Sequence, residues 1–175
     1  MLKITATTLL FAATTATHAG NFSIHVDATD ARGMIAARHT YNGFGCTGQN
    51  IAPAIQWQNV PANAKSLALT VYDPDAPGSG WWHWVAIDLP VTSIGLPQGG
   101  ALPLGAHALR NDFGDVGWGG PCPPAGDPPH HYVFTVYALD VPSLGLPVDA
   151  SAAKASAMFR QHSVGKAETT LRFGR

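Results

Sequence analysis

The chain has 175 residues, a formal net charge of -1 and only 12% charged residues. That balance lacks the basic footprint of a nucleic-acid binder and the polybasic patch of a membrane-surface protein, and it excludes a highly charged disordered chain. The 46% hydrophobic share suits a single core, and 19 Gly with 14 Pro in a chain of few helix-like stretches point to a mostly β fold with long ordered loops.

Residues 1–19 have the form of an export signal. Met1-Leu2-Lys3 gives a short positive start, Ile4–Ala13 is apolar or small, and Thr17-His18-Ala19 ends in a small residue suited to cleavage before Gly20. The apolar part is too short for a comfortable transmembrane span, and no other segment qualifies. The expected product is one exported domain over 20–175. Two cysteines, Cys46 and Cys122, are then a candidate disulfide, as an even pair in an oxidising compartment, with two unpaired thiols as the alternative.

Asn21–Val26 alternates, with Phe22, Ile24 and Val26 on one face, and predicts a half-buried strand with His25 turned to the surface. Arg38–Phe44 reads as a second short strand and Gly45–Pro53 as a loop. Ile55–Trp57 reads as a strand, followed by a turn at Val60–Asn63. Ser66–Tyr72 is the clearest strand, with Leu67, Leu69 and Val71 on one face. Trp81–Leu89 follows as another strand. Val91–Leu109 reads as an ordered surface excursion, and Asn111–Pro129 as a Gly/Pro loop whose length argues for a functional role. Tyr132–Leu139 is a strong strand. Ala150–His162 is the one convincing helix, with Asp149 or Ser151 as its cap and Gly165 just past its end. Glu168–Phe173 reads as a closing strand.

The chemistry gathers in two stretches. The first, Tyr72–Trp84, places Asp73 and Asp75 at one end of a Pro/Gly turn and His83, among three Trp, at the other. Carboxylates in such turns commonly cap backbone N–H groups, so one Asp is expected to serve the turn and the other to face a pocket. Alternation puts His83 on a face with Val85 and Ile87. It reads either as a core histidine satisfied by a backbone carbonyl or as a functional imidazole. The second stretch, Gly119–Tyr132, carries a proline-rich wall and then His130 and His131, of which at most one shares a pocket with His83. Proline removes too many N–H donors for a phosphate-cradling loop. No Gly-x-Ser-x-Gly, His-Glu-x-x-His or Gly-x-x-x-x-Gly-Lys is present. His83, His130 and the two Asp suit a transition metal by residue type but lack compact spacing, so no metal or cofactor is assigned.

Asp73-Pro74-Asp75-Ala76-Pro77, Trp82-His83-Trp84, Gly120-Pro121-Cys122-Pro123-Pro124-Ala125-Gly126 and His130-His131-Tyr132-Val133-Phe134 together resemble the two signature regions of the phosphatidylethanolamine-binding proteins, also called Raf kinase inhibitor proteins. Gly43–Pro53 and Gly78–Trp84 resemble the bacterial branch. The resemblance runs from about Phe22 to Phe173. It implies a β-sandwich with a large central sheet, a smaller sheet and a few peripheral helices. It also implies a small cavity for phosphate, phosphoethanolamine or a phospholipid head group, lined or supported by Asp73, Asp75, His83, Pro121, His130 and Tyr132. A disulfide between Cys46 and Cys122 would tie the proline-rich wall to the Gly45–Pro53 loop. His131 stands where the family has arginine, which loses a permanent charge and a bidentate fork. The implied role is that of a periplasmic or secreted binding protein, not an enzyme, with a kinase or protease as a conceivable protein target. The competing reading is a hydrolase using His83 as base with Asp75 as its orienter.

Overall fold

The alternation read in 66–72 becomes the centre of the molecule. In the computed structural model, which describes residues 20–175, Leu67, Leu69 and Val71 of strand β5 (Ser66–Asp73) are fully buried on one face, and Ala68 is fully buried on the other. The export-signal reading of residues 1–19 lies outside the described residues. Around β5 the chain lays down β1 (Ser23–Asp27), β2 (Asn42–Gly43), β3 (Cys46–Thr47), β4 (Ala54–Gln58), β6 (Trp81–Leu89), β7 (Gly95–Leu96), β8 (His107–Ala108), β9 (His130–Leu139), α1 (Ala152–His162) and β10 (Ser163–Phe173).

A five-stranded sheet runs β10-β9-β5-β6-β8 and a three-stranded sheet β1-β4-β7, while β2 and β3 form a small hairpin. All strand pairs are antiparallel. The inner face of the large sheet packs on the small one, joining Leu69, Val71, Trp84, Phe134 and Val136 to Ile55, Trp57 and Leu96. The outer face is covered by the helix, where Ala155 and Phe159 meet Ala68, Val85 and Ile87. A sheet covered on both faces explains why β5 is buried almost throughout.

The fold thus has the expected mostly β, two-sheet architecture, with local differences. Arg38–Phe44 is not a strand. It is a single 3-10 turn at Ala37–His39 followed by the two-residue β2, because Gly43 and Phe44 take positive φ values of 148° and 50° that break an extended run. Val91–Leu109 is more than a surface excursion, since β7 closes the small sheet and β8 the edge of the large one. Two-residue strands carry no period to read. Ser151 caps the helix, its hydroxyl accepting from the Lys154 N–H, and Asp149 does not. The helix ends in extended Ser163 and passes straight into β10, so Gly165 is no cap. It sits at a ladder irregularity where a Cβ would lie 2.9 Å from Pro61.

Candidate functional site

The pairing of β6 with β5 is irregular in two places, and the one nearer the start of β6 shapes the site. Val71 pairs with Trp84 and Tyr72 with Trp82, leaving His83 opposite no residue of β5. This β-bulge turns two successive side chains toward the same side. Trp82 packs on the outer core and Trp84 in the inner one, while His83 also faces inward, edge-on to Tyr132 with ring centroids 5.1 Å apart. His83 therefore does not share a face with Val85 and Ile87, as unbroken alternation predicts; those two belong to the outer core.

The inward turn of His83 helps to form a cavity of about 180 Å³ at the end of the inner face. Its polar members are Asp73, His83, His130 and Tyr132. Phe44, Trp81 and Phe113 give it aromatic surface, and Ala76, Pro77, Cys122, Pro123 and Pro124 complete the lining. Asp73 comes from the end of β5, Trp81 and His83 from β6, and His130 and Tyr132 from the start of β9, two residues apart and so on one side of their strand.

Each polar side chain has a defined bonding state. Asp73 uses Oδ1 for the turn, accepting from the N–H groups of Asp75 (2.8 Å) and Ala76 (3.2 Å). Its Oδ2 pairs with His130 Nδ1 at 2.8 Å, and both side chains are buried. On the other side of that ring, Nε2 lies 3.6 Å from the half-exposed Asp127. His83 Nδ1–H donates to the Gly119 carbonyl at 2.6 Å, while the Gly119 N–H donates back to the His83 carbonyl at 2.8 Å. Burial pushes the imidazole down to about 4, against the weaker pull of the Gly119 carbonyl and the Asp73 charge, so the ring is neutral around pH 7. Burial drives the Tyr132 phenol far above its usual range, and nearby Asp73 adds to the rise. Its Oη and Trp81 Nε1 are buried without a hydrogen-bond partner among the described residues.

The walls are braced from behind. A Cβ on Gly80, at a φ of +82°, would lie 2.1 Å from the Tyr72 oxygen, so only glycine lets the turn return beneath that ring. Asn111 Oδ1 accepts from Phe113 N and Asp115 N, both at 3.0 Å, which folds the loop that presents Phe113. Phe113 then stacks on Tyr41 at 4.0 Å and meets His83 edge-on at 5.4 Å. The proline-rich wall is bonded covalently to the β2–β3 hairpin through Cys46–Cys122. Arg175 donates from Nε to the Pro123 carbonyl (2.7 Å) and from Nη1 to the Gly45 carbonyl (2.9 Å).

Of the six residues singled out in the sequence, Asp73, His83, His130 and Tyr132 line the cavity. Asp75 and Pro121 do not. Asp75 is exposed and accepts from both the N–H (2.7 Å) and Nδ1 (2.8 Å) of His131, tying the turn to β9. Pro121 is buried behind the wall, its carbonyl accepting from Tyr41 N at 3.1 Å. The division of labour expected for the two Asp is thus altered, since Asp73 caps the turn and lines the cavity as well. The two readings of His83 merge, for it is satisfied by a carbonyl and still lines the cavity. A His83–Asp75 acid–base pair does not form, because each is committed elsewhere. Among the described residues no group of three His, Cys, Asp or Glu is placed to hold a metal. Sequence reasoning missed Phe44 and Phe113 as lining residues; the available signal was a lone aromatic inside each Gly-rich loop.

Residues 27–174 match the family model described as phosphatidylethanolamine-binding protein. The UPF0098 protein YbcL of Escherichia coli (strain K12) is 40% identical over 97% of this chain and 97% of its own length. The crystal structure of E. coli YbcL, described as a new member of the mammalian PEBP family, superposes with a TM-score of 0.84 over 89% of this chain and 99% of that one. The UPF0098 protein YbhB of the same strain is 45% identical over 78% of this chain and 89% of its own. LppC of Mycobacterium tuberculosis (strain ATCC 25618 / H37Rv), named as a candidate lipoprotein, is 43% identical over 71% and 60%. A match along nearly the whole described length, in sequence and in fold, leads to one conclusion: the chain belongs to the phosphatidylethanolamine-binding protein family.

Proposed function

We propose that this chain is an exported binding protein whose cavity accepts a small phosphate-type group, such as inorganic phosphate or the phosphate of phosphoethanolamine. One observation carries the reading. Tyr132 and Trp81 line a cavity shared with His83 and His130, and each keeps a buried donor without a partner among the described residues. A buried unpaired donor costs about 1–3 kcal/mol, which an acceptor oxygen placed in the cavity offsets. The Asp73 carboxylate and the aromatic faces suit the ammonium end of phosphoethanolamine.

Binding fits better than catalysis. The lining holds no serine, threonine or free thiol, since Cys122 is in the disulfide. Export is supported by the form of residues 1–19, by a disulfide of the kind oxidising compartments maintain, and by likeness to LppC. Among the described residues no helix is long and apolar enough to cross a membrane.

Titration calorimetry of the wild type and Tyr132→Phe with phosphoethanolamine tests the reading. Loss of the hydroxyl alone is expected to weaken binding about tenfold, the worth of one hydrogen bond of about 1.4 kcal/mol. Equal affinity for the two proteins would sink the assignment.

A further inference from the structure

The cavity has an electrostatic peculiarity for a site that takes an anion. No lysine or arginine lines it. The Arg175 guanidinium, behind the proline-rich wall, is spent on the carbonyls of Pro123 and Gly45. Asp73, the carboxylate in the lining, has both oxygens engaged, Oδ1 by two backbone N–H groups and Oδ2 by His130. His130 in turn lies between Asp73 and Asp127.

His83 fixes the hydrogen-bond polarity of the site. A carbonyl oxygen can only accept, so the 2.6 Å contact with Gly119 places a proton on Nδ1. The remaining ring atom, Nε2, is then a lone-pair acceptor unless the ring takes a second proton. Burial opposes that second proton, although the charges of Asp73 and Asp112 favour it. Tyr132 Oη and Trp81 Nε1 are then two neutral donors without partners, His83 Nε2 is an acceptor, and His130 Nε2, 3.6 Å from Asp127, is the remaining ring nitrogen of the lining. Asp75 and His131 pair with each other outside the lining and do not alter it.

We propose that the cavity selects a phosphomonoester in its singly protonated, monoanionic form, with His83 Nε2 accepting the ligand's P–O–H, and discriminates against both the dianion and the phosphodiester of an intact phospholipid. This rests on the phosphate-type reading of the same cavity and narrows it. A monoanion offers unprotonated oxygens to Tyr132 and Trp81 and a hydroxyl to His83. A dianion sets a bare oxygen against the Nε2 lone pair, beside the Asp73 carboxylate, with no fixed cation to offset it. A diester carries no P–O–H and leaves the acceptor unpaired, the kind of mismatch by which polar sites discriminate most strongly. The proton stays on the ligand, and no bond is made or broken.

Calorimetry with the full chain separates the possibilities, using phosphoethanolamine, its phosphonate analogue 2-aminoethylphosphonate and the diester glycerophosphoethanolamine between pH 5.5 and 8, values that bracket the phosphomonoester second pKa of about 6. Phosphoethanolamine affinity should fall about tenfold per pH unit above a ligand pKa of roughly 6. The phosphonate, which holds its second proton to higher pH, should show the same fall displaced upward by the difference in ligand ionisation. The diester should bind far more weakly throughout. A fall at one fixed pH for both ionisable ligands would place the titration on the protein, at His130 or another group, and overturn the proposal. So would a diester that binds as well as the monoester. Absence of binding by all three at every pH would overturn the phosphate-type reading itself, a distinguishable result.

Discussion

His130 with Asp73 and His131 with Asp75 are the same chemical pair used twice, at adjacent positions of one strand. Both ring–carboxylate distances are 2.8 Å. The first pair has side-chain exposures of 6% and 3%, the second 47% and 41%. Their settings differ because neighbours on a strand face opposite ways. The inward pair stands in the cavity, with its carboxylate also holding the turn. The outward pair joins the turn to β9 in contact with water. Equal geometry therefore does not mean equal energy, because water competes for the outer pair and not for the inner one.

The largest effect is expected on breaking the inner pair. Asp73→Ala strips His130 of its buried partner and uncaps two N–H groups, and should cost about 3–5 kcal/mol in chemical denaturation. Asp73→Asn, which can still accept the two turn bonds, should cost less. A loss below about 1 kcal/mol for Asp73→Ala would put the pair on a par with an exposed one and dissolve the comparison.

Asp75→Ala should cost less than about 1 kcal/mol at neutral pH. The backbone N–H of His131, then its ring, hold the Asp75 carboxyl below its ordinary 3.8. A depressed carboxylate stabilises the fold above its unfolded pKa and ceases to do so as pH falls through the lower folded value. The stability difference between wild type and variant should therefore shrink on acidification and vanish as the carboxyl protonates below its unfolded value of 3.8. Denaturation curves recorded across that range check it, and a difference that grew on acidification would contradict a depressed Asp75 carboxyl. Smallest of all, His131→Arg gives Asp75 a permanently charged, forked partner and should raise the melting temperature by about 1 °C, a gain of a few tenths of a kcal/mol. A much larger shift would show that the outer pair is poorly served by imidazole.

Much of this architecture could be read from side-chain alternation. The faces of β5 and the existence of β4, β6, β9 and α1 follow from it, because in those segments burial is decided residue by residue. The short strands were hidden, since Gly95–Leu96 and His107–Ala108 are fixed by partners far along the chain. The cavity was legible as two clusters of polar residues but not as a shape. Its aromatic lining from Phe44 and Phe113 depends on how two Gly-rich loops fold, and Phe113 is placed by the side chain of Asn111. The bonding of Asp75 with His131, a contact between positions 56 residues apart, is not carried by any local pattern and comes into view only through the arginine that His131 replaces.

The bulge at His83 makes the cavity a matter of counting as well as chemistry. On either side of it β6 alternates normally, Trp82 outward, then Trp84 inward and Val85 outward. Remove the one extra residue and the alternation from Trp82 to Val85 becomes continuous, with the pairing across Val71 and Tyr72 made regular. The sheet has no use for the residue it accommodates. The imidazole in the cavity thus hangs on a single inserted position of β6.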